Sequence, residues 1–368
     1  MDSRPVRAGI SHGDINGIGY EVIIKALSDP LINDLCIPIV YGSPKVAAYH
    51  RKALNINNFS FNSVRSAEEA HPKKANIINC VDENVRVELG KSTQQGGEAA
   101  IESLVKAVED LKNKKIDVLV TAPIDKHNVQ SEHFRYKGHT DFLRDKAGAE
   151  DSLMFMINET MRIGMATDHV PLREVPALIS PELITRKLRL MNRSLITDFG
   201  IRKPKIAVLG LNPHAGDNSL LGTEEATIIM PAIEKVKKDG ILAFGPFPAD
   251  GFFGAGLFTK FDGILAMYHD QGLSPFKALA FDTGVNFTAG LPFVRTSPVH
   301  GTAFAIAGKG EASESSFRHA LYLACDIFRN REMYDEISRN PLRKQDIDLR
   351  SERFDELPPD IFNSEQHL

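Results

Sequence analysis

Cysteine is scarce in this chain: Cys36, Cys80 and Cys325 are the only three among 368 residues, and no two form a C-x-x-C pair. That spacing excludes a cysteine-rich zinc module and offers no disulfide framework, which fits a reducing compartment. Long apolar runs are missing too. No stretch could span a bilayer, and Met1-Asp2-Ser3-Arg4-Pro5 leads into no apolar leader segment. A cytoplasmic protein with no membrane partner is expected. The formal net charge is only −4, so no electrostatic reason exists to expect nucleic acid or an anionic membrane as partner. Internal repeats and low-complexity segments are absent.

What is present is an ordinary globular balance, with 42 % hydrophobic and 25 % charged residues. The length exceeds what one core comfortably fills, so two α/β lobes are expected. Strand-like and helix-like segments alternate, which predicts βα units and a largely parallel sheet. Ala100, Ile101, Leu104, Val105, Val108 and Leu111 recur at helical spacing after Gly97, and Ile116 to Val120 then reads as a buried strand. A second unit runs through Gly222-Thr223-Glu224-Glu225 into a helix reaching about Lys237, with Thr223 as its expected N-cap. From about Asn340 the chain is charged and carries Pro358-Pro359, the pattern of a surface extension.

Three histidines carry the strongest chemical signal. His169 follows the apolar run Arg162 to Thr167, His214 follows Ile206 to Leu211, and His269 follows Gly263 to Tyr268. In open α/β sheets ligands gather at the carboxyl ends of strands, and three imidazoles delivered there suit one divalent cation. Singly, each would be better explained as a loop or core histidine. Their shared placement in loops bearing Gly, Pro or Asp favours a metal site.

Other loops could hold a ligand. Gly13 to Gly19 sits between a short apolar start and a helix over 21–27, but its glycine spacing is not G-x-G-x-x-G; a tight turn explains it equally well. Gly138-His139-Thr140-Asp141 offers imidazole and hydroxyl donors. Lys277, Asn286 and Arg295 add two cations and an amide near the His269 loop. Arginine grips carboxylate or phosphate with two hydrogen bonds and lysine makes a point-charge contact, so an anion pocket is expected there. The small residues of Ser297 to Phe304 and Ile306 to Gly310 allow either close approach to a cofactor or a plain chain reversal.

With Val120-Thr121-Ala122-Pro123-Ile124, Lys137 to Asp141, Leu211 to Gly216, Tyr268 to Gly272 and Arg295 to Pro298 in this order, the chain closely resembles the 4-hydroxythreonine-4-phosphate dehydrogenase family. The resemblance runs from the Gly13-Asp14 loop to about Gly310. It implies two α/β/α lobes flanking a cleft, similar to isocitrate and isopropylmalate dehydrogenases, with residues 1–130 and 300–340 in the first lobe. Residues 131–299 would form the second, and 341–368 a C-terminal extension.

The resemblance further implies a homodimer whose protomers share each active site. His169, His214 and His269 match the family's metal ligands, a set shared between subunits, for one divalent ion. Zinc leads, with cobalt, manganese or magnesium as alternatives. His139, Thr140, Lys277, Asn286 and Arg295 match positions that hold a small phosphorylated substrate. More loosely, His300, Gly301, Thr302 and Ala303 match the adenosine-side loop for NAD or NADP. The implied reaction is oxidation of 4-phosphooxy-L-threonine to a β-keto acid that decarboxylates, a step of pyridoxal phosphate biosynthesis.

For proton transfer, Asp270, Asp250 and Lys277 are the candidates, although support of His269, a turn role and anion binding are the respective competing roles. Departures from the family pattern are His12, Ile15 and Tyr20 in place of prolines, Asp125 in place of asparagine, and Val299 and Ala305 in place of acidic residues. The last pair leaves the choice of nicotinamide open. Rival readings are a dehydrogenase of phosphorylated threonate or erythronate, a metal-dependent phosphoester hydrolase, a phosphate acyltransferase and a non-catalytic sensor.

Overall fold

A computed structural model describes residues 4–82, 84–131, 134–136 and 138–341. Lys137 and almost all of the charged C-terminal stretch lie outside the described residues. The strands are β1 (Val6–Ser11), β2 (Cys36–Gly42), β3 (Asn62–Val64), β4 (Asn76–Asn79), β5 (Val118–Thr121) and β6 (Leu153–Ile157). They continue as β7 (Arg162–Met165), β8 (Lys205–Leu209), β9 (Leu242–Phe247), β10 (Gly263–Ala266), β11 (Val285–Ala289) and β12 (Val294–Pro298).

All join one mixed sheet in the order β3-β4-β2-β1-β5-β12-β11-β6-β7-β10-β8-β9. Pairing is parallel except at β12–β11, β11–β6 and β6–β7. The expected α/β architecture is therefore present. Two reversals beside β11 and one beside β6 leave β7, β10, β8 and β9 running opposite to β1, β5 and β12.

Side chains alternate across the sheet, and the two faces are packed differently. On one face Ile10, Val118, Val120, Phe155, Phe287, Ile206 and Leu265 join a single buried core that crosses the whole sheet. The helix Ser315–Ser338 covers its middle through Phe317, Ala320, Leu321 and Ala324. On the other face the core is split. Ile39, Tyr41 and Leu119 pack with Leu104, Phe142 and Leu143 at one end, while Met156, Ile163, Ala207 and Ile264 pack with Leu273 and Phe276 at the other. Between these two cores, over β12 and β11, the face carries the polar side chains of Arg295, Ser297, Asn286 and Thr288. That gap is the cleft.

Local sequence explains the helices beside it. Gln94–Lys112 starts at Thr93, whose hydroxyl accepts from Gly96 N at 3.1 Å, and buries Ala100, Leu104, Val108 and Leu111 along one stripe. The helix after Gly222 departs from expectation. Thr223 makes no side-chain cap; its carbonyl closes an ordinary first turn by accepting from Thr227 N at 2.8 Å, and a π-turn over Glu225–Ile229 follows before α-helix resumes at Met230–Lys238. Pro231 lacks an N–H and cannot bond to the carbonyl four residues back; Met230 N instead bonds Glu225 O, five residues back.

Candidate active site

Strands β7, β10 and β8 are neighbours and parallel, with Ile163 opposite Ile264 and Ile264 opposite Ala207. Their carboxyl ends therefore open on the same side of the sheet, and the loops bearing His169, His269 and His214 leave side by side. The rings of His169 and His269 meet at 5.2 Å between centroids, tilted by 47°. His269 Nδ1 lies 2.7 Å from Asp270 Oδ1, which leaves Nε2 for a ligand. Asp168 adds a buried carboxylate oxygen with no hydrogen-bond partner among the described residues, and burial holds its pKa above the ordinary value.

Within one chain, no group of three metal-ligating side chains converges among the described residues. Imidazole is a donor type that fits a borderline cation such as zinc. A single chain thus brings two of the three histidines together.

His214 is presented differently. Residues 214 to 219 all have positive φ, from 42° at Asp217 to 82° at Gly216. Five of the eight non-glycine residues with positive φ among those described fall in this turn. Each costs roughly 1 kcal/mol or more and persists only where the surroundings enforce it. Glu225, 4 % exposed, is bonded to the two residues that lead into this turn. Its Oε1 accepts from Leu211 N and Asn212 N, both at 2.7 Å, and its Oε2 accepts from Asn212 Nδ2 at 3.0 Å. Burial pushes this carboxyl upward, but the hydrogen bonds from Asn212 outweigh it and hold the pKa below the usual range. Gln271 ties the histidine loops together, accepting from Met267 N at 2.7 Å and donating to Gly210 O at 2.6 Å.

Two residues of the expected anion pocket, Arg295 and Asn286, share the polar face of the sheet at the cleft. Arg295 on β12 is 3 % exposed and has no carboxylate partner among the described residues. Its Nε and Nη2 donate to Thr121 Oγ1 at 3.1 and 2.6 Å, and its Nη1 to Thr288 Oγ1 at 3.4 Å. Burial lowers its pKa to about 10. A desolvated guanidinium held only by hydroxyls keeps the capacity to bind an anion.

His139 opens the helix His139–Ala147, and its Nε2 is buried without a partner among the described residues. Burial, then the charges of Arg295 and Lys126, lower its pKa and keep the ring neutral. Asn286 lies two residues before Thr288 on the same face of β11, with a buried Oδ1 that lacks a partner among the described residues. Thr140 follows His139 at the start of that helix. Lys277 is exposed on the helix His269–Ala280, with no hydrogen bond or ion pair among the described residues. Asp250 is exposed in the first turn of the helix Ala249–Gly254.

The His300 to Ala303 loop packs on the first glycine loop: Ile18 N donates to Thr302 O at 3.0 Å, and a Cβ on Gly17 would lie 2.7 Å from that oxygen. His300 Nε2 is buried without a partner among the described residues, and burial lowers its pKa. Sequence reading missed Asp168, Thr288 and Glu225. Only the last had a signal, two adjacent glutamates soon after the His214 loop.

A continuous face, a split face and a polar cleft between two cores define the scaffold class, and solved dehydrogenases superpose on nearly all of it. A crystal structure of 4-hydroxythreonine-4-phosphate dehydrogenase from Klebsiella pneumoniae matches with TM-score 0.77 and 32 % identity, covering 89 % of this chain and 99 % of that one. A 4-hydroxythreonine-4-phosphate dehydrogenase from Bacteroides thetaiotaomicron is 53 % identical over 354 residues, 96 % of this chain and 97 % of the relative. A protein from Oceanobacillus iheyensis, provisionally named a D-threonate 4-phosphate dehydrogenase, is 38 % identical over 331 residues, 89 % of this chain and 99 % of its own. Residues 34–324 match the family model described as pyridoxal phosphate biosynthetic protein PdxA. The chain belongs to the PdxA family of dehydrogenases.

Proposed function

We propose that this chain is a metal-dependent, NAD(P)-linked dehydrogenase that oxidises 4-phosphooxy-L-threonine to a β-keto acid, which decarboxylates to 3-amino-2-oxopropyl phosphate. The observation that carries the reading is Arg295, a buried cation without a counter-ion, in a chain 53 % identical to a relative bearing that activity's name. His139, Thr140 and Asn286 complete a pocket for an anionic end of the substrate, and Arg295 supplies the charge. Burial strengthens every hydrogen bond there by excluding water.

His169, His214 and His269 would hold the cation, with zinc preferred. Bound there, a divalent ion would supply Lewis-acid polarisation of the substrate's oxygens. Asp270 fixes the His269 ring through Nδ1, and Asp250 or Lys277 would move a proton. His300, Gly301, Thr302 and Ala303 would contact NAD or NADP.

A homodimer with shared sites supports this geometry. Three strand spacings separate β12 from β7, roughly 14 Å of backbone, which a four-carbon substrate does not bridge from strand to strand. Leu220, 78 % exposed, together with Leu172 and Leu221 offers apolar surface close to His214 and His169 in the chain. We place residues 1–130 with 300–340 in one lobe and 131–299 in the other, on either side of the cleft. The compartment is proposed to be the cytoplasm; no described helix is long and apolar enough to cross a membrane.

The test is purified protein with zinc, 4-phosphooxy-L-threonine and either nicotinamide, followed by the absorbance of the reduced cofactor. Turnover on this substrate above that on phosphorylated threonate and erythronate supports the reading. Faster turnover on either of those moves the enzyme to the second substrate class, and turnover on none rejects it.

A further inference from the structure

Glu225 lies outside every loop that the family resemblance singles out, yet the geometry around it is specific. Its carboxylate is buried and receives three hydrogen bonds from two consecutive residues, Leu211 and Asn212, at 2.7, 2.7 and 3.0 Å. The same carboxylate packs under Gly216, where a Cβ would come within 2.7 Å of Oε2. Glu224 takes a further bond from Asn212 Nδ2 at 2.8 Å, so the amide is pinned from both sides.

Between these anchor points run six consecutive positive-φ residues, beginning with His214. A left-handed run of this length is held by its surroundings and not by its own preference. The π-turn explains how a helical residue can do the holding. Pro231 removes the donor that would close a normal helical turn, and the resulting π-turn starts at Glu225 itself. Single π-turns of this kind occur often at functional sites.

We infer that Glu225 is a positioning residue: its buried carboxylate locks the left-handed turn that aims His214 at the cation site. The inference rests on the reading of His214 as a metal ligand. Glu225 does not touch substrate or cation. It acts through the backbone of Leu211 and Asn212 and through the room left by Gly216. The side chain must be long enough to reach both backbone N–H groups from the π-turn, and it must carry two acceptor oxygens. Aspartate meets the second requirement and fails the first.

The experiment is a Zn²⁺ titration of metal-stripped wild type, Glu225→Ala, Glu225→Asp and His214→Ala, with steady-state kinetics and amide exchange on the same proteins. Glu225→Ala should weaken Zn²⁺ binding by about 10- to 100-fold and lower kcat comparably. KM for the phosphorylated substrate should stay within about twofold, because Arg295 and His139 are untouched. The amides of Leu211 and Asn212 should exchange faster, which reports the lost clamp without reference to activity.

Should Glu225→Ala fail to fold, Glu225→Asp carries the same expectations. Wild-type Zn²⁺ affinity in a folded Glu225 variant, with His214→Ala weakened, overturns the inference alone. Wild-type affinity in His214→Ala removes the metal reading on which it rests.

Discussion

The two chemical halves of the candidate site are built by different means. The anion pocket sits on strands: Arg295 on β12, Thr121 at the end of β5 and Thr288 on β11 meet because sheet register places them on one face. All three side chains are buried. The histidine group sits on loops beyond the strands, where His169 and His214 are exposed, and one chain brings only two of its three rings together. In the proposed reading, recognition of charge is preformed on strands, whereas the cation site would depend on loops to which Glu225 and Gln271 are bonded, and on a second chain. A strand-built pocket should tolerate change locally and fail in affinity. A loop-built centre should fail in turnover.

The largest expected effect is at the histidine half. His214→Ala should abolish substrate-dependent reduction of nicotinamide while the far-ultraviolet circular dichroism stays that of the wild type. Turnover near normal in zinc-replete buffer would erase the distinction between the halves. Arg295→Met comes next. It removes a charge-assisted contact worth about 2–3 kcal/mol, so KM should rise roughly 30- to 150-fold. Because the guanidinium is buried without a counter-ion, the same change should leave the ligand-free melting temperature equal or higher. A large fall in melting temperature would mean that Arg295 supports the fold and not a ligand.

Acid probes the rigid half from beneath. His12, Tyr20 and His50 form a buried stack, with centroids 4.9 and 5.1 Å apart, under the first glycine loop. Burial lowers both histidines to about 4. A depressed imidazole pKa means that the unfolded chain binds the extra proton first. Stability is therefore full above about pH 6.5 and falls between about pH 6.5 and 4, by on the order of 3 kcal/mol per histidine. In urea melts across that window the wild type should lose more stability than His12→Phe as pH drops, because the variant lacks one of the two titrating histidines. Parallel curves would show that His12 takes no part. The smallest effect is at Thr121→Val, which removes the acceptor for two guanidinium donors. KM should rise several-fold, about 1 kcal/mol, with kcat unchanged; an unchanged KM would show that Arg295 needs no hydroxyl to hold it.

How legible this was in the sequence follows the same division. The apolar runs ahead of His169, His214 and His269 end in strands as read, and the stripe of Ala100, Leu104, Val108 and Leu111 is a buried helix face. Local patterns of period two and 3.6 residues carry that information. That β7, β10 and β8 would be neighbours is a long-range pairing that no local pattern encodes. The same holds for Thr121 and Thr288, separated from Arg295 by 174 and 7 residues yet held against one guanidinium. Thr223 precedes the helix as expected, but its hydroxyl makes no capping bond and only its carbonyl closes the first turn, which residue type alone does not reveal. Lys277 shares a stretch of sequence with Asn286 and Arg295, but the helix His269–Ala280 exposes it while β11 and β12 turn the other two toward the cleft.

The most direct measurement mixes two proteins at a substrate concentration too low for the weak-binding Arg295→Met variant to turn over. If the histidines of one chain serve the Arg295 pocket of its partner, a reassociated mixture of His214→Ala and Arg295→Met should contain heterodimers with one intact site. About a quarter of wild-type activity should return. No recovery in a mixture shown by mass to contain heterodimers would contradict the shared site and return both halves to a single chain.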